Sequence, residues 1–83
     1  MSKRRSVLII DDEVDLCMLM KSYFLRKQYE VFIANSIVEA LPLAKEQQPN
    51  YIFLDWGVCL NGEEDYKKIR AAAPDAEINC PGR

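Results

Sequence analysis

Three short apolar runs punctuate the chain: Val7-Leu8-Ile9-Ile10, Val31-Phe32-Ile33-Ala34 and Tyr51-Ile52-Phe53-Leu54. They are rich in β-branched and aromatic residues and show no polar alternation, the pattern of strands buried on both faces. Between the first two lie 20 residues in which Leu16, Leu19, Met20, Tyr23 and Phe24 recur at helical spacing, predicting an amphipathic helix with that stripe turned inward. Between the second and third lie 16 residues with Ile37, Ala40, Leu41 and Ala44 in the same phase. Asn35 or Ser36 is the natural cap of that helix, and Pro42, several residues further in, predicts a kink or an early stop. After the third run, Tyr66, Ile69 and Ala73 mark one face of a third helix that Pro74 ends. Ala76-Glu77-Ile78 begins a fourth strand that Asn79, Cys80, Pro81 and Gly82 cut short. The alternation of strand and helix, with long crossovers, predicts an α/β fold built on a parallel sheet.

Composition narrows the chemistry. Eighty-three residues allow one domain with one modest core. Eleven basic and 13 acidic residues give a net charge of −2, too little field to favour nucleic acid or an anionic membrane as a partner. The start Lys3-Arg4-Arg5 reads as a solvated terminus. No apolar run is long enough to span a membrane or serve as a signal peptide. The three cysteines, Cys17, Cys59 and Cys80, are widely spaced, fit neither a disulfide framework nor a zinc site, and suggest a cytoplasmic setting. The chain contains no histidine, which excludes His-based nucleophilic catalysis and His-ligated metal. Carboxylate chemistry is left.

Asp11 and Asp12 directly follow the first apolar run and Asp55 directly follows the third. In a parallel sheet every strand ends on the same edge, where ligands bind in open α/β folds. If the two strands are neighbours, three acids converge. Their mutual repulsion would raise their pKa values, and a hard divalent cation would relieve it. Mg²⁺ suits such a site, since it takes one or two carboxylates and keeps the remaining positions for water or phosphate oxygens. One of Asp11 and Asp12 also serves as an acid at the start of the first helix.

At these residues the chain resembles the receiver domain of two-component response regulators. The text that carries the likeness is Val7 to Glu13, then Tyr29-Glu30-Val31, then Pro49 to Trp56, then Ile69-Arg70 with Ala73 to Ala76; it runs from about residue 6 to residue 78. The resemblance implies a flavodoxin-like three-layer α/β/α fold with strand order 2-1-3. It implies a single receiver domain over 1–83, cut off near the fourth strand, that signals and is not an enzyme. By the same resemblance Asp55 is the phosphoacceptor; Asp11 and Asp12 hold Mg²⁺ together with Asp55, and the carbonyl of Gly57 is a further metal ligand. The phosphoryl donor would be a histidine on a sensor kinase or phosphotransfer partner. Some positions depart from the family: Cys59 stands where a proline is usual, Gly62 comes one residue early, and the switch hydroxyl and the phosphate-contacting lysine of a full receiver have no counterpart.

An alternative reading is a degenerate receiver that binds a partner without being phosphorylated. A Mg²⁺-dependent phosphatase with an aspartyl nucleophile fits less well, because its D-x-D is replaced by Asp11-Asp12-Glu13. Of the remaining residues, Cys59 reads as a small packed residue, Trp56 as a shield at the edge of the site, and Glu63, Glu64 and Asp65 as favourable charges at a helix N-terminus. By the resemblance, with the sheet ending early, Tyr51 to Leu54 is expected at or near an open edge, and the helix that normally covers the sheet beside the first helix is missing. A homodimer, or an exchange of segments between chains, would cover the edge and the face so left open.

Overall fold

The computed structural model describes residues 5–80; Lys3, Arg4, Pro81 and Gly82 lie outside the described residues. Arg5 is exposed, and its guanidinium donates to the Tyr51 hydroxyl at 2.8 Å.

The chain runs β1 (Ser6–Ile10), α1 (Val14–Arg26), β2 (Glu30–Ala34), α2 (Ile37–Gln47), β3 (Tyr51–Leu54), a short 3-10 turn (Trp56–Val58), α3 (Glu63–Ala72) and β4 (Glu77–Asn79). The four strands form one parallel sheet in the order β2-β1-β3-β4. This is the flavodoxin-like arrangement, with β1 at its centre.

All five residues of β1 are buried, which explains its unbroken apolar text: each face of the strand meets protein. On one face Leu8, Ile10, Ala34, Ile52 and Leu54 pack against Ile37, Ala40 and Ala44 of α2, Ile69 of α3 and Ala73 at its C-terminal end. On the other, Val7 and Ile9 pack with Cys17 of α1, flanked by Met20, Phe24, Val31, Ile33, Tyr51 and Phe53. Two helices therefore cover the first face and one covers the second.

Two expectations need correction and a third is narrowed. The stripe predicted to turn inward on α1 does so only in part: Met20 and Phe24 are half-buried, whereas Leu16, Leu19 and Tyr23 are exposed. Cys17 is the residue pressed onto the sheet, at 1% exposure. The helix is rotated so that one flank of its stripe, with Phe53, lines an apolar groove beside β3. Nor does Pro42 break α2, which continues to Gln47. The proline removes the donor that would serve the carbonyl of Val38, a residue 81% exposed, so water can take that carbonyl. Finally, β3 lies near an edge of the sheet and not at it. β4 pairs along it with Tyr51 opposite Glu77 and Phe53 opposite Asn79, and the edge on that side of the sheet belongs to β4, with β2 at the other. This strand alternates exposed Glu77, half-buried Ile78 and exposed Asn79, the pattern of a strand covered on one face only.

Candidate metal centre

The register of the sheet sets the site. Ile10 lies opposite Leu54 on one side and Ala34 on the other, so the next residues of three strands, Asp11, Asp55 and Asn35, arrive together at the sheet's C-terminal edge. Backbone bonds extend the ladder one step past the strands: Asp55 N–H donates to the Ile10 carbonyl at 2.9 Å and Asp11 N–H to the Ala34 carbonyl at 3.0 Å.

Asp11, Asp12 and Asp55 each place a carboxylate oxygen within 4.8 Å of the others. The three differ in environment, with Asp11 buried, Asp55 half-buried and Asp12 exposed. Burial pushes the Asp11 carboxyl above its ordinary value of 3.8, and the charges of Asp55 and Asp12 push it the same way, against a backbone hydrogen bond that lowers it. That bond is from Glu13 N–H to Asp11 Oδ1, at 2.9 Å. It closes a turn just ahead of α1, and neither Asp11 nor Asp12 serves as the cap or first-turn acid expected of one of them: the N-cap is Glu13 and the acid in the first turn is Asp15. Glu13 itself occupies the N-cap position and makes no side-chain cap bond.

The donor set fits a hard divalent cation: oxygen atoms only, anionic, and converging from two strand ends. The loop after Asp55 leaves room for it. A Cβ added at Gly57 would stand 3.0 Å from Asp55 Oδ2, so a side chain there would push on the carboxylate. The turn that carries Gly57 closes with Val58 N–H on the Asp55 carbonyl at 3.1 Å and Cys59 N–H on the Trp56 carbonyl at 3.0 Å.

The other acids stay apart from the trio. Asp65 is buried and accepts from Asn61 N–H at 3.0 Å, closing the start of α3, while Glu63 and Glu64 are exposed in the same first turn. Gly62 caps that helix at φ +60°, a conformation that favours glycine; this accounts for its place in the loop. Cys59 packs into the core, and burial, followed by the charge of Asp65, pushes its thiol up, which keeps it inert. Trp56 packs at the edge of the same cluster.

Two residues of the site were not singled out from sequence. Asn35 Nδ2 donates to the Asp11 carbonyl at 2.9 Å, and Cys17 Sγ donates to the same oxygen at 3.4 Å. Burial, with the charges of Asp11 and Asp12, pushes the Cys17 thiol up, so it stays protonated and a donor. The signal for Asn35 was available: it follows an apolar strand directly, as Asp11 and Asp55 do.

A parallel sheet ordered β2-β1-β3-β4 with three aspartates at the ends of β1 and β3 defines a receiver-type α/β domain. The sequence profile of the response regulator receiver domain matches residues 7–80, and the chain belongs to that family. Similar solved structures agree. A response regulator from Burkholderia pseudomallei, described with a phosphorylated aspartic acid, calcium ion and citrate, superposes with a TM-score of 0.82 at 25% identity. The match covers 92% of this chain and 45% of that one. The response regulator domain of Thermotoga maritima CheB matches at 0.77 and 26% identity, over 94% of this chain and 60% of that one. A chemotaxis response regulator of Vibrio cholerae shares the fold at 0.82 and 22% identity, over 94% and 68%. The chain thus spans less than half of the Burkholderia protein and about two thirds or less of the other two. No match was found among curated proteins. Among the described residues no helix is long and apolar enough to cross a membrane.

Proposed function

We propose that this chain is a phosphorelay receiver in which Asp55 accepts a phosphoryl group from a histidine on a sensor kinase or phosphotransfer protein in the cytoplasm. The observation that carries the reading is the gathering of the Asp11, Asp12 and Asp55 carboxylates within 4.8 Å at one end of the sheet. The phosphorylated aspartate and calcium ion described for the Burkholderia relative support it.

The chemistry is a displacement at phosphorus. An oxygen of Asp55 forms the new O–P bond as the P–N bond of the partner's phosphohistidine breaks, and the departing imidazole takes up a proton. Asp55 is suited to the nucleophile's role because it is half-buried at the mouth of the site, with Gly57 leaving its oxygens open to the incoming group. Asp11, Asp12, Asp55 and the Gly57 carbonyl would hold Mg²⁺, which supplies charge neutralisation on the transferred oxygens. Positioning and electrostatics are most of what phosphoryl transfer asks of a protein. The reading also includes self-association, supported by the apolar groove of Leu16, Leu19, Met20, Tyr23, Phe24 and Phe53.

Treatment with a small-molecule phosphodonor and Mg²⁺, followed by intact-mass measurement, tests this. One phosphoryl group is expected on the parent and none on Asp55→Asn. Labelling that survives the substitution would overturn the assignment. A parent that is stabilised by Mg²⁺ yet takes no label would instead be the non-phosphorylated interaction module.

A further inference from the structure

The carbonyl of Asp11 is held by two side-chain donors from two different elements. Asn35 Nδ2, from the end of β2, reaches it at 2.9 Å, and Cys17 Sγ, from α1, reaches it at 3.4 Å. The peptide on the other side of Asp11 is fixed as well, by its N–H on the Ala34 carbonyl.

Asn35 is in turn held in place. Its backbone N–H donates to Glu39 Oε1 at 3.0 Å, and Glu39 N–H donates to Ser36 Oγ at 3.2 Å. Ser36 is the N-cap of α2, and Glu39, three residues on, reaches back one residue beyond the cap. This is a capping box displaced by one position, and its effect is to fix the strand exit that carries Asn35. Asn35 is not the cap; its amide donates to the Asp11 carbonyl and, at 3.8 Å, to Cys17 Sγ. A chain of hydrogen bonds therefore runs from the first turn of α2 to the backbone of the most buried member of the acidic trio.

We propose that Asn35 is a positioning residue for the Asp11 carboxylate, locking the Asp11 peptide so that its side chain starts from one orientation toward the cation. The inference rests on the metal reading of the pocket. Its physical basis is that a metal ligand's affinity depends on how firmly its orientation is fixed by groups that do not touch the metal. Asp11 needs such fixing. It is buried beside two other anions, and without the clamp its peptide could turn the carboxylate away from them.

Mg²⁺ titration of three proteins, read by Trp56 fluorescence and independently by the thermal midpoint, tests the proposal. Asn35→Leu keeps the bulk of the side chain and removes the donor; it is expected to weaken Mg²⁺ binding about tenfold. Ile69→Val removes a buried methyl group from α3 and touches no member of the hydrogen-bond chain to Asp11. It is expected to lower the metal-free midpoint and leave the Mg²⁺ dissociation constant unchanged. If Asn35→Leu does not fold, Asn35→Ala is read in its place. Binding by the Asn35 variant equal to that of the parent would overturn the proposal. So would an equal loss of affinity in Ile69→Val, since affinity would then follow stability and not the donor. A folded parent that ignores Mg²⁺ by both readouts would overturn the metal reading itself, and the clamp with it; that case is recognised by the parent alone.

Discussion

Asp11 carries the highest electrostatic cost of the acidic trio, because it is buried and has Asp12 and Asp55 beside it. Its raised pKa means that the metal-free fold holds its proton more tightly than the unfolded chain does. Stability therefore falls as pH rises from the ordinary value of 3.8 through the raised folded value, and the full penalty is present above it. Asn at position 11 keeps the oxygen that accepts from Glu13 N–H and removes the charge. Without metal, Asp11→Asn is expected to melt above the parent at pH 7, with the gap closing on acidification; in millimolar Mg²⁺ the order should reverse. Thermal melts across pH with and without Mg²⁺ check both halves, and a gap that does not change with pH would refute the account. The three aspartates were legible in the sequence because Asp11 and Asp55 each directly follow an apolar run and Asp12 is next to Asp11, so the topology alone brings them to one edge. Asn35 was harder to read. Its role depends on the register that sets β2 against β1, and an asparagine before a helix is more simply read as a cap.

At the scale of elements, periodicity located every strand and helix but not the rotation of α1. Its apolar residues, Val14, Leu16, Cys17, Met18, Leu19, Met20, Tyr23, Phe24 and Leu25, nearly encircle the helix, so the pattern does not single out one face. Contact with the sheet chose the side bearing Cys17, Met20 and Phe24. The proline in α2 was overestimated as a breaker for a related reason. An interior proline costs about 3 kcal/mol in a helix, but the packing of Ile37, Ala40 and Ala44 on the sheet spans the flaw and outweighs it. Pro42→Ala should restore the donor for the Val38 carbonyl. Some of that gain is offset because proline also restricts the unfolded chain, by roughly 0.4–1 kcal/mol. A net stabilisation of about 2 kcal/mol is expected, read as a higher urea midpoint with an unchanged slope. A loss of stability would mean that the proline ring's packing beside Lys45 and Lys68 matters more than the missing hydrogen bond.

For the whole molecule, the uneven covering of the sheet decides how it meets others. Two helices shield one face, while on the other the groove between α1 and β3 stays open, with Leu19 69% and Tyr23 51% exposed. The edge expected to pair with another chain is a poor template. β4 has three residues, two of them exposed and polar, and short polar edges resist strand addition. On this side of the sheet association should therefore proceed through the groove and not through β4. Light scattering at tens of micromolar is expected to report a dimer that Leu19→Glu converts to a monomer. A cooperatively melting parent monomer would show that the face tolerates water.

The central strand has a further consequence, for hydrogen exchange. β1 is buried throughout and bonded to a neighbour on each side, so its amides have no local route to solvent and should exchange only when the entire domain opens. Asp11 begins where that strand ends. A cation held there is anchored to the slowest-opening part of the protein, and at a hundredfold excess over its dissociation constant it should slow exchange along β1 about a hundredfold. The amides of α1 near the open groove, which can fray on their own, should respond far less.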